Sequence, residues 1–386
     1  MDMNDRSFFE GNFGLERETL RVDRFGRLAR TPHPFGEEPG ITRDFCENQI
    51  ELITPVCGSI DEMLRELEGL DRRVREKLEK QGERLWLYSN PPHITGEDEI
   101  PVAAFSGEHI GKLHYREQLS MRYGKKLMLF SGIHFNFSFT DGYLASISGG
   151  QELTEFRNSF YLRLYKQLSI HSWLPMLISA ASPFYDLSFD RDGAEGTVKS
   201  PYASIRNSER GYWNEFTPVL DLSSLESLCG SIERYIQKGL LFSISELYLP
   251  IRLKPVGVNS VEALRKGISH VELRMFDLDP LEPLGINSND LQFTHLLIMY
   301  LSRLPDVDFT PEMQEQAVRD HRAAALYDLS GVEIQGVPIL ERAGQIITEM
   351  QKTFRSDNKA QEVLEYEKEK LRKRLCTLID PVHIYG

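Results

Sequence analysis

Glu16 and Glu18 stand two apart in GLERETLRV, a run that alternates polar and apolar residues near its start as a strand does. Successive strand side chains point to opposite faces, so the two carboxylates share one. So placed, they repel each other unless cations neutralise them. Mg²⁺ or Mn²⁺, hard ions that favour carboxylate oxygen, would do so; a solvated strand face is the plainer reading. A second acidic set lies in TRDFCENQIELITP. Asp44 and Glu51 share a face if that segment is helical, with Asn48 completing an i, i+4, i+7 stripe. On a strand they need a bulge to turn both inward. The sequence accommodates either conformation, and a charged surface face is again the plainer alternative.

GIHFNFSFTDG alternates strictly and stops at the turn-forming Asp141-Gly142. His134, Asn136 and Ser138 fall on one face, and Phe135, Phe137 and Phe139 on the other. Three aromatics on one face pack into a core, so the polar face lines something wet or functional, with a hydrogen-bonded structural histidine as the alternative. In VELRMFD, Glu272 and Arg274 share a face opposite Val271, Leu273 and Met275. Such a pair is ordinarily a modest surface ion pair. In a phosphate site it supplies a metal ligand and a guanidinium clamp. Together these pieces suit an enzyme that passes a phosphoryl group from ATP to a carboxylate, where two or three divalent ions neutralise the triphosphate and the acyl phosphate. The motifs G-x-x-x-x-G-K-[ST], G-x-G-x-x-G and G-x-S-x-G are all absent, so metals on a sheet would have to hold any ATP.

The elements that must position these residues read as α+β. The strand from Phe13 ends at a turn, Asp23-Arg24-Phe25-Gly26. Met63, Leu67, Leu70, Val74 and Leu78 mark one face of a charged helix. A helical stretch covers 152–179 and breaks near Pro183, and SHVELRMFDLDP is a strand that ends at Pro280. From Asn289 the chain is mostly helical, with Val363, Leu364, Leu371, Leu375 and Leu378 at helical spacing. The weak seam at Pro280–Asn289 divides a core, residues 1–288, from a helical part, 289–386, packed on it; the two make one functional domain.

Composition narrows the function classes. Across 386 residues, 45 Lys and Arg against 58 Asp and Glu give a net charge of −13, which disfavours nucleic acid and anionic membrane as partners. With 41% hydrophobic and 27% charged residues a large core is affordable, which excludes intrinsic disorder as the main state. Cys46, Cys57, Cys229 and Cys376 are scattered without a C-x-x-C pair, against a thiolate zinc site and for a reducing compartment. The polar N-terminus is no signal peptide, and the longest apolar stretch, near Leu174–Ala181, is too short to span a bilayer. A cytoplasmic globular protein is expected.

GLERETLRV, DFCENQIELITP, SGIHFNFS, ELYLPIRLKP and VELRMFDLDP occur in that order between Gly14 and Gly285. They resemble the signature segments of the bacterial glutamate–cysteine ligases, also called γ-glutamylcysteine synthetases. The resemblance is strongest to the N-terminal ligase half of bifunctional glutathione synthases. Their additional C-terminal ATP-grasp domain has no counterpart here, so addition of glycine is not expected. The region after Asn289 carries no matched motif.

The resemblance implies a glutamine-synthetase-like catalytic fold, a curved antiparallel sheet with flanking helices and metals on its concave face. Residue by residue, it implies metal ligands at Glu16, Glu18, Asp44, Glu51, His134 and Glu272, and an arginine near the phosphates at Arg274. Glu16, Glu51 and Arg274 are the residues it makes essential to turnover. YREQLSMRYG, SIRNSERGY and ELYLPIR place Tyr115, Arg116, Arg206, Tyr212 and Tyr248 at substrate contacts. The implied reaction phosphorylates the γ-carboxylate of L-glutamate with ATP as co-substrate and two or three Mg²⁺, Mn²⁺ being possible. The α-amine of L-cysteine then attacks, giving γ-glutamylcysteine, the first step of glutathione biosynthesis. The partners are these small molecules, with no nucleic acid and no membrane; the oligomeric state is left open. The competing readings are a γ-glutamyl ligase with another acceptor amine and a non-catalytic relative that binds nucleotide or amino acid.

Overall fold

The computed structural model describes residues 10–36, 38–104 and 110–373, so Leu375, Cys376 and Leu378 lie outside the described residues. The first part of the chain forms β1 (Asn12–Asp23), β2 (Ile41–Arg43), β3 (Gln49–Ile53), α1 (Ile60–Glu79), β4 (Glu83–Trp86), α2 (Ile110–Tyr123) and β5 (Ile133–Ser138). It continues through α3 (Asp141–Ile147), α4 (Leu153–His171), α5 (Trp173–Ser179), β6 (Phe184–Asp186), β7 (Thr197–Lys199), α6 (Leu225–Gln237), β8 (Ile251–Lys254), α7 (Val261–Lys266) and β9 (His270–Phe276). Then follow α8 (Ser288–Leu301), α9 (Pro311–Ala324), β10 (Glu333–Ile334), β11 (Val337–Pro338), α10 (Ile339–Thr353) and α11 (Asn358–Lys373).

The main sheet runs β2-β3-β1-β5-β9-β8, with β4 paired to the C-terminal end of β1, and its neighbours are antiparallel throughout. β1 stops where the sequence predicts: Asp23 Oδ1 accepts from the backbone N–H of Phe25 (2.8 Å) and Arg27 (3.1 Å), and Gly26 takes φ +79°. α1 starts at Ser59, whose hydroxyl accepts from Glu62 N, with Asp61 and Glu62 complementing the helix dipole. The helical stretch predicted for 152–179 is two helices, α4 and α5, parted at Ser172, with Pro175 tolerated in the first turn of α5.

The alternation in β1 and β5 gives the sheet two unlike faces. Phe13, Leu15, Phe135 and Phe137 are at most 1% exposed on the face covered by α1, α4, α5 and α8. Full burial of each such side chain contributes about 1.5–3 kcal/mol. One apolar core runs from Phe13 on β1 to Leu371 on α11. The ring of His295 on α8 packs 4.9 Å from those of both Phe13 and Phe137. Arg17, on the same helix-covered face, pairs with Asp71 of α1 and donates to Leu284 O (3.1 Å). Among the described residues no helix is long and apolar enough to cross a membrane.

Candidate active site

The opposite face of the sheet carries the chemistry, assembled by strand register. Glu18 on β1 stands opposite Glu51 on β3, and Glu16 opposite His134 on β5. Asn136 on β5 stands opposite Glu272 on β9, which in turn stands opposite Arg252 on β8. Directly opposed side chains of one face lie about 4.5–5.5 Å apart at Cβ, so five strands deliver one polar row. The register shifts between Ile133 and Phe135, where β9 carries one more residue than β5. That bulge sets Arg274 beside His134, with Nη1 3.4 Å from Nδ1.

The segment with two open conformations is a hairpin. β2 and β3 pair with Thr42 opposite Glu51, and Asp44 begins the turn between them. Asn48 therefore joins no helical stripe; its side chain is buried and donates to Ala29 O (3.4 Å). Arg116 on α2 clamps this hairpin, with Nε donating to Asp44 O and Nη2 to Arg43 O. Asp44 and Glu51 thus converge through a chain reversal, with no bulge in β3.

His134 Nδ1 lies 3.2 Å from Glu16 Oε2 and 3.8 Å from Glu272 Oε1, and its Nε2 lies 3.6 Å from Glu18 Oε1. Glu16, His134 and Glu272 each offer a ligand atom within 4.8 Å of the others. Burial and the Arg274 charge push His134 down to about 4, so its ring is neutral at pH 7. Burial works against ionisation of Glu272, yet Arg274, Lys254 and Arg252 hold it well below the carboxylate range. Arg274 Nη1 is 3.3 Å from Glu272 Oε1. Burial opposes ionisation of Glu16 as well, yet its His134 hydrogen bond together with the charges of His134 and Lys254 leaves it lowered. The other half of the row behaves oppositely. Burial and the Asp44 charge push Glu18 up to about 8, and Glu51 well above its usual range. Asp44 is likewise raised by burial.

His134 Nε2, Asn136 Oδ1 and Glu272 Oε2 are buried without a hydrogen-bond partner. Orphaned buried polar atoms are rare in folded chains. Gathered among carboxylates and a neutral imidazole, they form a donor set that fits hard divalent ions.

Arg206 approaches from the loop after β7, with Nη1 donating to the carbonyls of Arg274 (3.0 Å) and Phe276 (3.1 Å). Two glycines make room for it. A Cβ on Gly132 would meet the Arg206 guanidinium carbon at 2.3 Å, and one on Gly211 would meet its carbonyl oxygen at 1.9 Å. Its neighbour Asn207 donates to Met275 O (2.8 Å) and faces His321 Nε2 with its oxygen (3.2 Å). His321, buried on α9, therefore carries its proton on Nε2 and accepts from Ser172 Oγ at Nδ1 (3.1 Å). Tyr212 stacks on Tyr248 with centroids 4.2 Å apart, and Tyr115 and Tyr123 pack on the same cluster. Arg206, Tyr212, Tyr248 and Arg274 line one cleft. A cavity of about 200 Å³ lies elsewhere, between α5 and α11, where Lys370 and Asp290 pair with each other.

All twelve residues that the family resemblance implies fall on or beside this face. The sequence reading missed Arg252 and Lys254 as site members. Their signal was present: Ile251-Arg252-Leu253-Lys254 alternates with period two, which sends both cations to the carboxylate face. Gly132 and Gly211 gave no signal, because their need arises from the path of Arg206.

Comparison with known proteins bears on what such a face does. The sequence model for glutamate-cysteine ligase matches residues 2–239 and 230–323. The chain belongs to the glutamate–cysteine ligase family. It is 36% identical over 390 residues to the glutathione biosynthesis bifunctional protein of Listeria monocytogenes, covering 94% of this chain and 50% of that protein. The corresponding protein of Clostridium perfringens is 34% identical over 367 residues, 89% of this chain and 47% of its own. The chain thus spans about half the length of the curated relatives it matches. Among solved structures, a bifunctional glutathione synthetase from Pasteurella multocida superposes with TM-score 0.82 at 27% identity, over 96% of this chain and 50% of that one. The glutamate–cysteine ligase of Francisella tularensis, in complex with AMP, superposes with TM-score 0.83 at 24% identity, over 96% and 83%. The fold of this ligase family is therefore the fold of the chain.

Proposed function

We propose that the chain joins the γ-carboxylate of L-glutamate to the α-amine of L-cysteine while ATP becomes ADP and phosphate, the first step of glutathione biosynthesis. The observation that carries this reading is the one-sided row of five carboxylates and His134 beside Arg274, with orphaned polar atoms among them, in a chain of this family. Glu16, Glu18, Asp44, Glu51, His134 and Glu272 hold two or three divalent ions, Mg²⁺ or Mn²⁺. When bound, these ions neutralise triphosphate charge and draw electrons from the transferring phosphorus. A carboxylate only accepts, so the neutral His134 ring carries its proton on Nδ1 toward Glu16, and Nε2, beside Glu18, keeps the lone pair that an ion would meet.

The protein's own groups then divide the work. A γ-carboxylate oxygen of glutamate attacks the γ-phosphorus in line, the bond to the β-phosphate oxygen breaks, and ADP leaves. Arg274, held ionised by Glu272, meets the charge spread over the transferring phosphoryl oxygens. Arg206 binds a substrate carboxylate, and Arg116 keeps Asp44 in place. The α-amine of cysteine attacks the resulting acyl phosphate, the C–O bond to phosphate breaks, and the amine releases its proton. Tyr115, Tyr212 and Tyr248 wall the acceptor pocket. Residues 289–386 act as the support of the core 1–288 within one functional unit. A cytoplasmic, reducing setting suits Cys46, Cys57 and Cys229, which are free and buried.

Phosphate release with MgATP and L-glutamate tests this reading across acceptors. We expect release that depends on cysteine, with 2-aminobutyrate a partial substitute. Release with another amine alone would replace the acceptor, and silence with every acceptor despite metal-dependent ATP binding would overturn catalysis. A second expectation follows from Arg206. Gly132→Ala should cut kcat/KM on the order of 10²-fold by displacing that guanidinium, while the melting temperature moves little. Unchanged kinetics in a folded variant would show that the position of Arg206 does not matter.

A further inference from the structure

Asn136 is not among the six residues proposed to hold ions, yet it touches the row at its centre. It lies two residues from His134, opposite Gly14 on β1 and opposite Glu272 on β9. Its Nδ2 lies 3.2 Å from Glu16 Oε1, while His134 Nδ1 holds the other oxygen of that carboxylate at 3.2 Å. A carboxylate only accepts, so the amide must turn its N–H₂ to Glu16 and its oxygen away. That oxygen, Oδ1, is buried with no donor, as are His134 Nε2 beside Glu18 and Glu272 Oε2 across the strand pair. Gly14 adds no side chain over this spot; a Cβ there would stand 3.6 Å from Asn136 Cβ.

We propose that Asn136 completes the cation site formed by Glu16, His134 and Glu272: its N–H₂ fixes the Glu16 carboxylate, and its Oδ1 serves the ion or a water bound to it as a neutral oxygen. This inference rests on the cation-holding row proposed above. A neutral oxygen has a clear use here. Glu16 and Glu272 already supply two negative charges, and a third carboxylate at this position would sharpen repulsion before an ion arrives. Hard ions accept amide oxygen as readily as they accept carbonyls.

Titration of the full chain with MnCl₂ by calorimetry, without nucleotide, separates the alternatives. Asn136→Ala should bind Mn²⁺ about 10–100-fold more weakly, the loss seen when a partner that orients a ligand is removed. Asn136→Asp keeps an oxygen and should bind at least as tightly as the parent, while melting lower without metal because two carboxylates then touch. A merely structural asparagine would leave both variants equally weak. Glu16→Gln serves as the reference. If it loses affinity and Asn136→Ala does not, or if Asn136→Asp is as weak as Asn136→Ala, the role given to Asn136 is wrong. If Glu16→Gln itself binds Mn²⁺ normally, the cation reading of the row fails instead.

Discussion

Glu51→Gln should leave almost no ligase turnover, a loss on the order of 10³-fold or more in kcat/KM, in a protein that melts no lower than its parent without metal. Glu51 stands half-buried opposite Glu18, and desolvation of its carboxyl together with the charges of Asp44, Glu16 and Glu18 holds it well above the usual range. Glutamine is nearly isosteric with the protonated acid and relieves the crowd. Two unit charges 4 Å apart oppose each other by about 4 kcal/mol at an effective dielectric of 20. The same change removes an anionic oxygen from the proposed ion cluster, whose charge stabilisation is worth several kcal/mol in phosphoryl transfer. Activity and stability therefore move in opposite directions, which separates this substitution from a simple folding defect. Phosphate release and thermal melts in EDTA read both quantities. Near-parental turnover would take Glu51 out of the cluster.

The second large effect is a pH dependence that divalent ions erase. Glu18 rises from an ordinary 4.5 to about 8 in the folded, metal-free protein. Between those values the native state holds a proton that the unfolded chain has released, so stability falls as pH rises through the window. Glu51 and Asp44, also raised, contribute slopes of the same sign. Glu272 is lowered, so its share of stability is present above 4.5 and is lost as acid is added. Melting temperature in EDTA should thus decline from about pH 5 to pH 8, and saturating Mg²⁺ should flatten the decline. Ion binding at pH 7 should also release protons, visible as a calorimetric enthalpy that changes with the ionisation enthalpy of the buffer. Glu367 on α11, pushed up to about 9 by burial and Asp290, adds a slope that Mg²⁺ cannot remove, so the reversible part is the diagnostic. A decline that Mg²⁺ leaves intact, with no proton release, would place the raised carboxyls outside any ion site.

Much of this architecture is legible in the sequence alone. Strict alternation in β5 and in the first half of β1 put His134, Glu16 and Glu18 on one face and the phenylalanines on the other. Alternation is a local property, and burial of one face enforces it. The hairpin carrying Asp44 and Glu51 was not legible, because a seven-residue spacing suits a helix as well as two short strands reversed by a turn. Only pairing with β1 decides between them, and pairing is a long-range fact. Arg252 and Lys254 were legible in their alternation but had no stated purpose until register set Arg252 against Glu272. The path of Arg206 past Gly132 is legible only in three dimensions.

β1 touches β3, β4 and β5, and from Phe13 to Glu18 its side chains alternate between the helix-covered face and the carboxylate row. A slip of one residue would send Glu16 and Glu18 under the helices and turn Leu15 and Arg17 outward. Core and chemistry are therefore proofread by the same event. A chain that has sealed its apolar layer correctly has, in that act, already lined up its carboxylate row.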